Sequence, residues 1–175
     1  MGESFQLIYS NEDDRAYGLA GMAIAIASLD ALDKIAEVSI DSEGPMVEFL
    51  GSYYYAGSPS VSPKATWNNL IRNFHLTTTM AVGNVLARSV VRLGSEIPAD
   101  AIATLRDIVE AEGRDTCSLE EEETNALFDR VLMQTRRIFY NPRMHPAVRD
   151  LATVISRRRR LSGLELSEQL AMLQL

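Results

Sequence analysis

Few residues in this chain are of a type and spacing that could do chemistry. His75 follows Arg72 by three residues in RNFH, His145 follows Pro142 by three, and Cys117 is the single thiol. An imidazole titrates near neutral pH and can serve as general acid or base, with the neighbouring Arg72 as a fixed cation. Asp30, Asp33 and Glu37 would approach one another on a shared helix and could offer carboxylate oxygens to a hard cation. Nine arginines lie between Arg130 and Arg160 against Asp150 alone, and their planar forks suit phosphate or carboxylate.

Each group has a plainer role to set against the chemical one. A carboxylate-bridged dimetal bundle needs Glu-x-x-His pairs, which neither histidine supplies, and an acidic stripe is the ordinary wet face of an amphipathic helix. No metal or cofactor is therefore assigned. Helical nucleases of the HEPN type carry Arg and His several residues apart on one helix. Arg72 and His75 are closer than that, within an apolar run where a hydrogen-bonded core histidine is expected. Cys117 precedes SLEEEE, whose helix end favours a thiolate while its carboxylates oppose one, so a structural thiol is expected. GSYYYAG lacks the Lys and Ser or Thr of a phosphate loop, and Gly18 and Gly21 fall inside a helix. Trp67 and Tyr53 to Tyr55 could stack a planar ligand, but aromatic residues at helical spacing read as core. No catalytic residue is assigned, and whether the protein is an enzyme stays open.

The arginines divide by position. If the helices on either side of Asn141-Pro142 form an antiparallel hairpin, Arg157 to Arg160 face the acidic run Glu120 to Glu123 and are neutralised there. Arg136, Arg137, Arg143 and Arg149 then gather at the turn end, beside the free amides that begin the next helix. These four are the expected anion- or partner-binding residues.

The elements that must position these residues are helical. Ser62 to Leu93 reads as one long buried helix, capped by Ser62 with Pro63 at its first position, and Leu70, Phe74, Thr78, Val82, Val85 and Ser89 recur at helical steps. Gly83 within it predicts a close crossing by the small-residue helix that Ser10 caps and that runs to about Glu37. Pro45 to Tyr54 reads as a short helix, with a hairpin of VSI and SYYY as the alternative, and Gly57 to Pro63 as a linker. Pro98 opens a helix that Gly113 stops. Ser118 with Glu121 opens the next, which ends at Asn141-Pro142; Pro146 begins another, and Ser162 with Glu165 the last. The expectation is an all-α bundle of six to seven helices around the long central one, with no clear sheet, as a single helical domain over residues 1–175.

The passage NPRMHPAVRDLATVI resembles the turn and second helix of a HEAT-repeat hairpin, in which Asn or Asp, Pro and a Val-Arg pair recur. LRDIVEA echoes VRDLATV 43 residues earlier, but the flanking helices differ in length, so no repeat array is claimed. A true solenoid of this kind would imply protein binding along a concave surface.

Composition sets the class. Hydrophobic residues at 46% and charged residues at 23% belong to a globular chain. The net charge of −7 argues against general nucleic-acid binding. It hides an asymmetry: eleven acids against two arginines from Glu96 to Asp129, then the arginine-rich stretch. The opening MGESFQLIYSNEDD has no basic and apolar signal regions, and no run is long enough to span a bilayer, so a cytoplasmic protein with no membrane contact is expected. The function that follows is a non-catalytic interaction or adaptor protein with a protein partner or self-association. Two alternatives stand beside it: a nucleic-acid-associated accessory protein using the arginine-rich hairpin, and an enzyme assembled around Arg72 and His75.

Overall fold

The computed structural model describes residues 5–54 and 62–173, without the side chains of Ser52 and Tyr54. The long helix is present, but its buried residues begin only at Phe74. Helix α3 (Pro63–Leu86) begins with the Ser62 hydroxyl accepting the Ala65 amide at 3.2 Å and passes without a break into a π-helical turn, Ala87–Arg92. Helix α1 (Glu12–Ser28) crosses it where both chains are small. A Cβ on Gly83 would stand 2.7 Å from the Ala25 Cβ, and one on Gly21 would meet the Gly83 carbonyl. Only glycine permits this approach.

Helix α1 shares the centre with α3, because its other side is covered by α6 (His145–Arg158). Helices α4 (Ala99–Cys117) and α5 (Glu121–Phe139) close the far side of α3, and α7 (Gly163–Met172) packs on a small sheet at one edge. Ala16, Leu19, Leu86, Phe128, Phe139, Val148 and Leu151 are fully buried in one continuous core. Each of the larger side chains contributes about 2 kcal/mol by leaving water. Among the described residues no helix is long and apolar enough to cross a membrane.

The helical-bundle class holds, and several local expectations are corrected. Asn11, not Ser10, caps α1 by accepting the Asp14 amide, while the Ser10 amide and hydroxyl both donate to the Asp14 carboxylate. Helix α1 stops at Ser28 rather than near Glu37, since Asp30 turns the chain at φ +53° and a 3-10 turn, Leu32–Lys34, leads into strand β1 (Ile35–Ser39). The expected absence of a sheet is overturned. Strand β1 pairs antiparallel with β2 (Val47–Phe49) on one side and β3 (Arg160–Ser162) on the other. Pro45 to Tyr54 is thus strand followed by a single helical turn, α2 (Gly51–Tyr54); VSI does form part of a hairpin, with VEF as partner rather than SYYY. The 57–61 part of the expected linker lies outside the described residues.

Gly113 does not stop α4. It sits inside the helix against the Phe74 ring and the Thr124 hydroxyl, and the stop falls at Ser118 with φ +51°. The capping box of α5 is Glu120 with Glu123, two residues after the expected pair Ser118 with Glu121. The last helix has the expected box, Ser162 with Glu165.

The antiparallel hairpin of α5 and α6 is also corrected: α6 lies against α1 instead. Arg158 to Arg160 are neutralised, though not by Glu120 to Glu123. Arg158 pairs with Glu165 at 2.8 Å, Arg160 with Glu37 at 3.2 Å, and Arg159 clasps both Glu12 and Asp41. Glu37 therefore faces a guanidinium across the sheet and is not gathered with Asp30 and Asp33. Among the described residues no three His, Cys, Asp or Glu side chains are placed to share a metal ion.

Candidate functional site

The turn from Leu29 to Lys34, forced by the early end of α1, separates two concave surfaces, and Asp30 stands in the wall of both. On one side a groove of about 690 Å³ runs between the last turns of α1, the end of α5 and α7. Ile24, Leu32, Ile138, Met144 and Leu170 line it, with Arg137 and Asn141 from the end of α5 adding polarity. The groove exists because α1 presents Ala27 and Ser28 where a larger residue would fill the space. Among the described residues Arg137 makes no ion pair, so its guanidinium is available to a ligand carboxylate or phosphate.

Arg137 is the member of the expected quartet that lines the groove. Arg149 is exposed on α6, and its charge acts on Tyr17 of α1; burial first, then Asp13, nevertheless raises that phenol above its ordinary range. Arg143 is exposed in the 3-10 turn Pro142–Met144, whose Asn141 cap accepts the Arg143 amide at 3.1 Å. Arg136 is half-buried, and its Nε is shut off from solvent without an acceptor. His145 is structural: its Nε2 lies 2.8 Å from the Phe139 carbonyl at the end of α5.

On the other side of the turn a cleft of about 440 Å³ holds Arg72 and His75 of α3 together with Lys34, Asp30 and Asp33. His75 is half-buried, and burial first, then the charge of Arg130 on α5, holds its imidazole below the usual range. The ring is neutral at pH 7 as a result.

No protein-family model matches the chain, and neither a curated protein nor a solved structure does.

The most enclosed charge was not singled out by sequence. Arg88, in the π-helical turn, is 1% exposed and forms a two-bonded pair with Asp14, Nε to Oδ1 at 2.8 Å and Nη2 to Oδ2 at 2.7 Å. Its remaining hydrogens go to the carbonyls of Gln6, Leu7 and Ile8 and to the Asn84 side-chain oxygen, and the rings of Phe5 and Tyr9 stack near it at 4.9 and 4.6 Å. Burial alone would raise the Asp14 carboxyl; Arg88, the Ser10 amide and Arg92 outweigh it and hold the group below the ordinary carboxylate range. This fully satisfied pair secures the amino-terminal segment to the bundle. A charge inside an otherwise apolar helix was the available signal, since such a residue is buried only with a partner.

Cys117 is 2% exposed with its thiol toward the Leu70 carbonyl, the structural role expected of it. Of the aromatic group, Tyr53 stacks on Phe49 with centroids 4.1 Å apart, and Trp67 is 44% exposed. Tyr55 lies outside the described residues.

Proposed function

We propose that the protein works by binding rather than by catalysis, as a non-catalytic interaction or adaptor protein whose docking surface is the groove between α1, α5 and α7. The observation that carries this reading is the pairing of apolar walls with one uncommitted cation. Ile24, Ile138, Met144 and Leu170 supply apolar area, and Arg137 supplies a single point of orientation. Its volume lies within the range of about 300 to 1,000 Å³ typical of ligand pockets, enough for two or three anchoring side chains of a partner segment. The partner it suits has an apolar face and a carboxylate, as an acidic amphipathic helix does.

Self-association and a cytoplasmic setting belong to the same proposal, the latter supported by a lone free thiol. We rank the nucleic-acid alternative behind it, because Arg158, Arg159 and Arg160 each face a carboxylate of this chain.

The test uses 8-anilinonaphthalene-1-sulfonate, a probe with an apolar body and one anionic group. Its fluorescence is expected to rise with the folded protein, and its affinity to fall about tenfold in Arg137→Glu and in Ala171→Arg, a loss of about 1.4 kcal/mol. Equal affinity in all three proteins sinks the proposal. Light scattering across concentrations decides self-association, which a constant monomer mass removes.

A further inference from the structure

We infer that the cleft between the Leu29 to Lys34 turn and α3 is a second site, one that binds a small phosphate monoester through Arg72, Lys34 and His75. The inference does not rest on the groove: it concerns the opposite side of the turn, other side chains and another ligand.

The cations there are uncommitted. Among the described residues neither Lys34 nor Arg72 makes an ion pair, and Arg130, whose charge acts on His75 from α5, makes none either. Lys34 and Arg72 both line one cleft beside a half-buried histidine, with no carboxylate on either. Asp30 and Asp33 line the same cleft, yet neither is within ion-pairing distance of Lys34 or Arg72. A bound anion could take up the free donors of both side chains.

The donor set selects the anion. A guanidinium fork, an ammonium and an imidazole N–H, supplied by two different elements, line one cleft. A phosphate monoester has three terminal oxygens and carries close to two negative charges near neutral pH, whereas a carboxylate has two oxygens and one charge. The neutral His75 ring can donate one hydrogen there without adding a charge.

The carboxylates set the other half of the specificity. Asp30 and Asp33 would accept hydrogen bonds from hydroxyl or amino groups on the body of the ligand. They would also repel a polyanion such as a nucleic-acid backbone, whose neighbouring phosphates could not avoid them. Leu29, Ala31 and Leu76 give the cleft an apolar floor. The ligand class is thus a soluble phosphate monoester with a polar, uncharged or cationic body.

The experiment titrates glycerol 3-phosphate, with glycerol and sulfate as comparison ligands, while the His75 ring resonances are followed by NMR. Expected is saturable binding of glycerol 3-phosphate with movement of the His75 signals and an upward shift of the imidazole pKa, as an anion beside it requires. Affinity should fall at least tenfold in Arg72→Gln and in Lys34→Gln, both of which should melt like the parent because Arg72 is exposed and Lys34 only half-buried. Glycerol should not bind. Unmoved His75 signals, unchanged affinity in both variants, or sulfate binding as tight as the ester would each overturn the inference. Failure of the groove reading would show instead as unchanged dye affinity in Arg137→Glu, a protein that should bind glycerol 3-phosphate like the parent.

Discussion

Gly21 of α1 and Gly83 of α3 meet backbone to backbone, so that a Cβ on Gly21 would stand 2.6 Å from the Ala87 Cβ and closer still to the Gly83 carbonyl. Nothing at this point can move without separating the two central helices. Alanine at Gly21 gains about 1 kcal/mol of helix propensity and is expected to lose more to overpacking, for a net destabilisation of about 3 kcal/mol. Thermal melting should drop by about 10 °C. Gly44→Ala, where a Cβ would meet nothing within 4 Å, serves as the control and should melt like the parent.

Breaking the Arg88–Asp14 pair from one side strands a charge in the core. Asp14→Ala is expected to cost about 3 to 5 kcal/mol. Arg88→Met should cost as much or more, since the carbonyls of Gln6, Leu7 and Ile8 also lose their donor. Hydrogen exchange of the segment before α1 should accelerate in both variants. Because the Asp14 carboxyl is held below its ordinary value of 3.8, its contribution is present above that pH and is lost as the pH falls through the folded-state value. Acid unfolding of the parent should begin below about pH 4 and lose its sensitivity to this site in Asp14→Ala.

The depressed pKa of His75 works in the opposite part of the scale. The unfolded chain takes up the imidazole proton first, near 6.5, so the folded state is fully favoured above that pH and loses stability below it. The groups around the ring are Arg72 on its own helix, Arg130 on α5, and Lys34, Asp30 and Asp33 on the turn. Urea unfolding at pH 7.5 and pH 5 should show a smaller loss for His75→Gln than for the parent. Equal losses would exclude this histidine as their source.

Cys117 is closed to solvent by Leu70 and its own helix. Ellman's reagent is expected to leave the thiol unmodified in the folded protein and to react with one equivalent once denaturant unfolds it. Rapid reaction in native buffer would contradict the packing of α4 on α3.

Arg159 and Arg160 are masked by Glu12, Asp41 and Glu37. Replacing all three acids with their amides should release two guanidinium groups and raise the salt concentration needed to elute the protein from heparin. Unchanged elution would mean that the pairs do not hold in solution.

Legibility followed the range of the interactions. Ser62 with Pro63, the Ser162–Glu165 box and the inward set Phe74, Thr78, Val82 and Val85 are readable because a helix end or face is decided within a few residues. The Gly83 crossing was readable for a related reason: small residues on two helices have few other uses. Of the four arginines expected at the turn end, only packing could set Arg137 in the wall of the groove.

Strand β1 is the element that local sequence conceals, and the reason is physical. Leu29 to Glu37 continues a helical spacing, and nothing local reveals that Val38 will be matched by Leu161, far along the chain. A strand is stabilised by partners it does not carry, so its signal is divided between distant segments. The amino-acid sequence alone therefore determined where most helices begin and which faces they bury, because those depend on hydrogen bonds and spacing within one or two turns. Only the tertiary structure decided the sheet, the partner of every buried charge and the two surfaces divided by Asp30, because each depends on which distant side chains the fold brings within a few ångströms.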